Sequence, residues 1–150
     1  MIKTERMTIR ILSDDEMRKL IEKQTDEEMK KAYGEMLQGC LDHPEQRAWY
    51  AVWVMEDFEG NTIGDLCFKG LDEKGCAEIG YGLAPEYWGK GYATEAVRAL
   101  IRWAASQNGV RCIEAETDPD NIASQRVLEK CGFVPTGALG EEGPRFALDL

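Results

Sequence analysis

The order of elements in this sequence predicts a mixed α/β fold, with seven strands in one sheet and four helices on its faces. Three observations carry that expectation. Between Ala48 and Ala84, three runs alternate apolar and polar residues, separated by turn clusters at Glu59-Gly60-Asn61 and Asp72 to Gly75, which reads as an antiparallel meander. Apolar stripes at three-four spacing, Met29-Ala32-Tyr33-Met36-Leu37-Cys40 and Ala93-Ala96-Val97-Leu100-Ile101-Ala104, mark two helices. Strand-like and helix-like segments then alternate to the end, giving the order β-α-α-β-β-β-α-β-α-β-β.

Each element has its own local signal. "MTIRIL" alternates Met7, Ile9 and Ile11 against Thr8 and Arg10, a short strand. Ser13 with Glu16 fits a capping box ahead of Met17, Leu20 and Ile21, and Thr25 with Glu28 fits a second box opening the longer helix. The meander is "AWYAVWVME", "TIGDLCFKG" and "CAEIGYGLA". A helix from Ala93 to about Gln107 stops at Asn108-Gly109. The strand "VRCIEAET", a helix from Ile122 to about Cys131, and the strands "FVPTGAL" and "PRFALDL" complete the chain. No repeat or linker interrupts it, so residues 1–150 read as one domain.

Composition narrows the function. The formal charge of -10 disfavours nucleic acid phosphates and favours cationic partners such as amines, although acidity also serves solubility. No stretch approaches the roughly 20 apolar residues of a membrane span, and no signal core opens the chain, so a cytoplasmic location away from membranes is expected. The five cysteines stand singly, with no C-x-x-C, as reduced thiols rather than a disulfide frame or a metal site. The single histidine, His43, precedes Pro44 in a loop, which leaves little for a Ser-His mechanism.

The most informative stretch is "PEYWGKGYATEAV", Pro85 to Val97, where Gly89 and Gly91 precede a helix. Main-chain N–H groups at a helix start lack intrahelical partners and sit at the positive end of the dipole. Glycines let an anion approach them closely. The P-loop pattern fails because Gly91 follows Lys90, and the dinucleotide pattern fails because Thr94 stands at its third glycine. A phosphate-bearing cofactor of another kind, or simply a tight strand-to-helix turn, remains.

"AEIGYGLAPEYWGKGYATEAV", followed by "NIASQRVLEKCGF", resembles the GNAT superfamily of acyl-CoA N-acyltransferases, in particular its RimJ/RimL-like branch, and "TERMTIRIL" is similar to that branch's opening strand. The resemblance covers nearly the whole chain. It implies a twisted, mostly antiparallel sheet, acetyl-CoA as the acyl donor, and transfer to a primary amine in a ternary complex without a metal. It implies that the amides of Gly89, Lys90, Gly91, Tyr92, Ala93 and Thr94 cradle the pyrophosphate of coenzyme A, and that main-chain groups near Leu83 and Ala84 pair with the pantetheine arm. Glu86 stands where many members carry Arg or Gln, and is expected to point away.

In "CAEIGYGLA", alternation puts Cys76, Glu78, Gly80 and Gly82 on one face, and the two glycines suit either a close-approaching ligand or a twisted bend. Amine attack on a thioester requires a proton acceptor; Glu78 is the first choice, as against a solvated or ion-paired strand residue, with Asp65, Glu114 and Glu116 as rivals. Many family members place a tyrosine acid where this chain has Leu128. In the RimJ/RimL-like branch its counterpart is a serine, here Ser124, whose hydroxyl can donate to the leaving sulfur. Asn121 binds the cofactor arm by resemblance, or caps a helix. Arg126 and Lys130 either meet the adenosine phosphates or are solvated, and Trp49, Trp53, Tyr81 and Trp88 read as core or cleft wall. The first two helices flank the amine entrance by analogy. The acceptor's identity and the oligomeric state, a homodimer included, stay open, and a non-catalytic acyl-CoA-binding module is the alternative to an enzyme.

Overall fold

A computed structural model describes residues 1–150. Strands β1 (Ile2–Lys3) and β2 (Met7–Ile11) lead into helices α1 (Asp14–Lys23) and α2 (Glu27–Asp42). The meander is β3 (Val52–Asp57), β4 (Thr62–Leu71) and β5 (Cys76–Leu83); then come α3 (Tyr92–Ala105), β6 (Cys112–Glu116), α4 (Ile122–Lys130), β7 (Val134–Leu139) and β8 (Pro144–Asp149). All eight strands form one sheet in the order β1-β2-β3-β4-β5-β6-β8-β7. Only β5 and β6 are parallel.

Alternation along β3 shows how the sheet divides its two faces. Trp53 and Met55 join Met7, Ile9, Leu66, Phe68, Ala77 and Ile79 in the larger core, beneath Val97 and Leu100 of α3 and Leu128 of α4. Val52 and Val54 point the other way, against Met17 of α1 and Tyr33 and Cys40 of α2. Each apolar helical stripe thus covers one sheet face, as amphipathic elements require. No helix is long and apolar enough to cross a membrane.

The Ser13–Glu16 capping box forms as expected. The second helix begins one residue later than its box predicts: the N-cap is Asp26, whose carboxylate accepts from the N–H groups of Glu28 and Met29, so Thr25 does not cap. A carboxylate there also meets the positive end of the helix dipole. Two further differences concern strands. Ile2–Lys3 adds an eighth, too short to show periodicity. Ala48 and Trp49 belong to a 3-10 segment, Pro44–Trp49, rather than to β3, because Pro44 fixes a helical start.

The cysteine expectation needs one correction. Cys76 and Cys112 face each other in the parallel β5–β6 register and form a disulfide across 36 residues of sequence. Their Cα atoms are 4.6 Å apart, a separation that only strand pairing sets. Cys40, Cys67 and Cys131 are free thiols.

Candidate active site

β5 and β6 run side by side only through Cys76, Ala77 and Glu78, opposite Cys112, Ile113 and Glu114. Beyond Glu78 the strands part. The opening continues as a cleft of about 620 Å³ between β5, the turn before α3 and the start of α4.

One wall is the glycine turn. Gly89 and Gly91 take φ of +72° and +84°, left-handed conformations that side chains disfavour, and Gly91 is the N-cap of α3. No backbone N–H from Gly89 through Thr94 has a hydrogen-bond partner in the chain; the helical ladder begins with Glu95, which donates to the Gly91 carbonyl at 3.1 Å. Six consecutive unpartnered donors at a helix start are suited to an anion. All of these residues except Lys90 line the cleft. Glu86 is exposed and lies outside it, as expected.

Arg6, which the sequence did not single out, fixes the turn. Its Nη1 donates to the Lys90 carbonyl at 2.9 Å. Its Nε donates to Glu95 at 2.7 Å, and its guanidinium lies 4.0 Å from the centroid of the Tyr92 ring. Because a peptide unit is planar and trans, holding the Lys90 carbonyl to one side aims the Gly91 N–H to the other.

The opposite wall is α4. Asn121 caps it, its Oδ1 accepting from the Ser124 N–H at 3.0 Å, and both residues line the cleft. The Ser124 Oγ lies 2.9 Å from the Tyr81 hydroxyl. Burial, opposed by the bond to Ser124, raises the Tyr81 hydroxyl above its ordinary range, so it remains a proton donor. Tyr81, read from the sequence as core or cleft wall, lines the cleft; only the proximity of α4 reveals the partner of its hydroxyl. Leu128 is fully buried in the core. Arg126 and Lys130 stand at the cleft as its cationic rim.

Leu83 lines the cleft, but its carbonyl accepts from the Trp88 indole N–H at 3.0 Å. The Ala84 N–H donates to the Ile63 carbonyl at 2.9 Å. An arm pairing with Leu83 through its carbonyl would use that oxygen's second lone pair beside the exposed Trp88 indole.

Glu78 lies on the face that alternation assigns it, and there two cations engage it. Lys69 Nζ stands 2.8 Å from its Oε2 and Arg145 Nη2 2.9 Å from its Oε1. Burial pushes this carboxyl up, yet hydrogen bonds from Lys69 and Arg145 outweigh it and hold Glu78 below the usual glutamate range. Arg145 also binds Glu114 and Glu116, joining β5, β6 and β8. Asp65 is different: it receives the Tyr33 hydroxyl at 2.8 Å, and burial, only partly opposed by that bond, raises it.

Residues 3–134 match the acetyltransferase (GNAT) domain profile. The chain is 38% identical over 91 residues to the uncharacterized N-acetyltransferase p20 of Bacillus licheniformis, a match covering 60% of this chain and 50% of that protein. It is 33% identical over 81 residues to the putative ribosomal N-acetyltransferase YdaF of Bacillus subtilis, covering 53% and 44%. The chain spans about half the length of the curated relatives it matches. Its fold is that of the spermidine N-acetyltransferase of Vibrio cholerae solved in complex with CoA and spermine, with a TM-score of 0.75, 21% identity, and coverage of 97% of this chain and 96% of that one. With the profile running from β1 into β7, over the glycine turn and both walls of the cleft, the chain belongs to the GNAT acetyltransferases.

Proposed function

We propose that this chain is an acetyl-CoA-dependent N-acetyltransferase of the RimJ/RimL-like branch that transfers the acetyl group directly to a primary amine in a ternary complex. The single observation that carries the reading is the run of six unpartnered N–H groups from Gly89 to Thr94, at the mouth of the gap between β5 and β6. A diphosphate fits such a cradle, and Arg126 and Lys130 supply cations for further phosphate. The likeness to YdaF, a putative ribosomal N-acetyltransferase, and to the Vibrio cholerae spermidine N-acetyltransferase is compatible with a protein N-terminus or a polyamine as acceptor.

Acetyl-CoA supplies an activated thioester, and the remaining chemistry belongs to side chains. A neutral amine is needed for attack, so its proton must pass to a nearby side chain or to water. The Tyr81–Ser124 hydroxyl pair is placed to donate a proton as a thiolate leaves, and the high Tyr81 value keeps that proton available through neutral pH. Asn121 fixes Ser124 by capping its helix.

Thiol release from acetyl-CoA across a panel of amines, with the mass gain of one acetyl group on the acceptor, tests this. Coenzyme A is expected to raise the melting temperature. A chain that coenzyme A stabilises but that acylates no amine is a binding module instead, and one that coenzyme A leaves unshifted has no cradle.

A further inference from the structure

We propose that the acceptor enters as a primary ammonium ion over the glycine floor of β5, and that Asp65, steadied by Tyr33, is the carboxylate that holds it and takes its proton. This rests on the acetyltransferase reading above and names the acceptor side of that site.

Asp65 on β4 is the direct cross-strand partner of Gly82 on β5. Directly opposed residues hold their Cβ positions about 5 Å apart on one face. The carboxylate therefore stands beside the space over Gly82, where an added Cβ would meet no atom within 4 Å. Gly82 also borders the cleft, but Tyr81 and Leu83 turn toward α3 and α4 whereas Asp65 and Gly82 turn toward α1 and α2, so this space and the proposed coenzyme site lie on either side of β5. Asp65 thus faces open volume across β5 from the cleft.

No cation pairs with it. The ionisable groups on its face are the Tyr33 hydroxyl from α2, Cys67, two residues along β4, whose thiol burial pushes up to about 11, and beyond it Lys69, whose ammonium is taken by Glu78. The neighbouring strands offer Val54 and Gly82, neither of which titrates. Tyr33 is buried against the second core, so its hydroxyl is a fixed donor. A carboxylate withdrawn from water without a cation is costly, and a cationic ligand is the partner that offsets this cost. Glu78, by contrast, already has two cations. Lys69 and Arg145 there would repel a third positive group, which directs an ammonium toward Asp65.

The proton balance closes. Asp65 takes one proton from the ammonium and passes it to water. The freed nitrogen pair forms the new N–C bond while the C–S pair leaves on sulfur. Sulfur takes a proton through the Tyr81–Ser124 hydroxyls, which are made good by the second proton lost from nitrogen.

Asp65→Asn is expected to lower kcat/KM for the amine by about 10²- to 10³-fold, while the thermal shift with coenzyme A stays at the wild-type value. Calorimetry with spermidine on the coenzyme-free chain is expected to show binding that Asp65→Asn removes. Tyr33→Phe deletes the donor that holds Asp65 down, so the acidic limb of kcat/KM is expected to move to higher pH; a structural role alone would leave that limb in place. Wild-type kcat/KM in Asp65→Asn overturns the proposal, as does loss of its coenzyme A thermal shift, or an acidic limb that Glu78→Gln moves and Tyr33→Phe does not. Absence of thiol release by the wild-type chain with every amine overturns the acetyltransferase function and this proposal together.

Discussion

The guanidinium of Arg6 donates to the carbonyl of Lys90 at 2.9 Å, tying the turn between β1 and β2 to the loop that opens α3 across 84 residues of sequence. The same side chain is held by Glu95 and packed on Tyr92, so one residue sets the orientation of the peptide whose N–H faces the cleft. Arg6→Ala is expected to weaken coenzyme A binding about tenfold, or about 1.4 kcal/mol, with little change in kcat at saturation. Calorimetric titration with coenzyme A checks this, and an unchanged Kd would show that the turn orients itself.

The Tyr81 and Ser124 hydroxyls share one hydrogen bond and face one cleft, so they act in series as one relay that the loss of either interrupts. Tyr81→Phe and Ser124→Ala are each expected to lower kcat about tenfold, and the double variant less than the product of the two, because coupled donors are not additive. Coenzyme A affinity should hold in both. Steady-state kinetics on the four proteins of the cycle measure the coupling.

Glu78 is expected to act on stability more than on turnover. Its folded-state value lies below the ordinary glutamate value of 4.5 because Lys69 and Arg145 outweigh its burial. The sign follows from linkage: this stabilisation is fully present above the ordinary value and is lost as pH falls through the lowered one. Glu78→Gln should therefore cost about 1–2 kcal/mol at neutral pH, and part of the acid sensitivity of the wild-type chain should disappear. Urea unfolding at pH 7 and pH 4 distinguishes the two proteins.

The cysteines make a chemical prediction. Alkylation of the unfolded, unreduced chain should label three thiols, Cys40, Cys67 and Cys131, and labelling after reduction should reach five. The bridge closes a loop 36 residues long, so reduction is expected to lower stability by about 4 kcal/mol. Mass spectrometry of the alkylated peptides reads the pairing directly.

By itself the sequence determined what depends on neighbours along the chain. The Ser13 cap, the three-four stripe from Ala93 to Ala104, the face shared by Glu78, Gly80 and Gly82, and the glycine turn before α3 are all written in spacings of two to four residues, the range over which backbone periodicity acts. Register and packing decided the rest. Arg145 reaches Glu78 only because β8 inserts beside β6, ahead of β7, in the sheet order. The same holds for Cys76 with Cys112, Tyr81 with Ser124, and Asp65 with Tyr33: each joins positions more than thirty residues apart, and no local pattern records that they meet. The glycine turn with its free N–H groups was legible because one turn and one helix start build it. The proton chemistry was not, because a carboxylate's readiness to take a proton depends on which cations the folded sheet brings beside it, and those come from other strands.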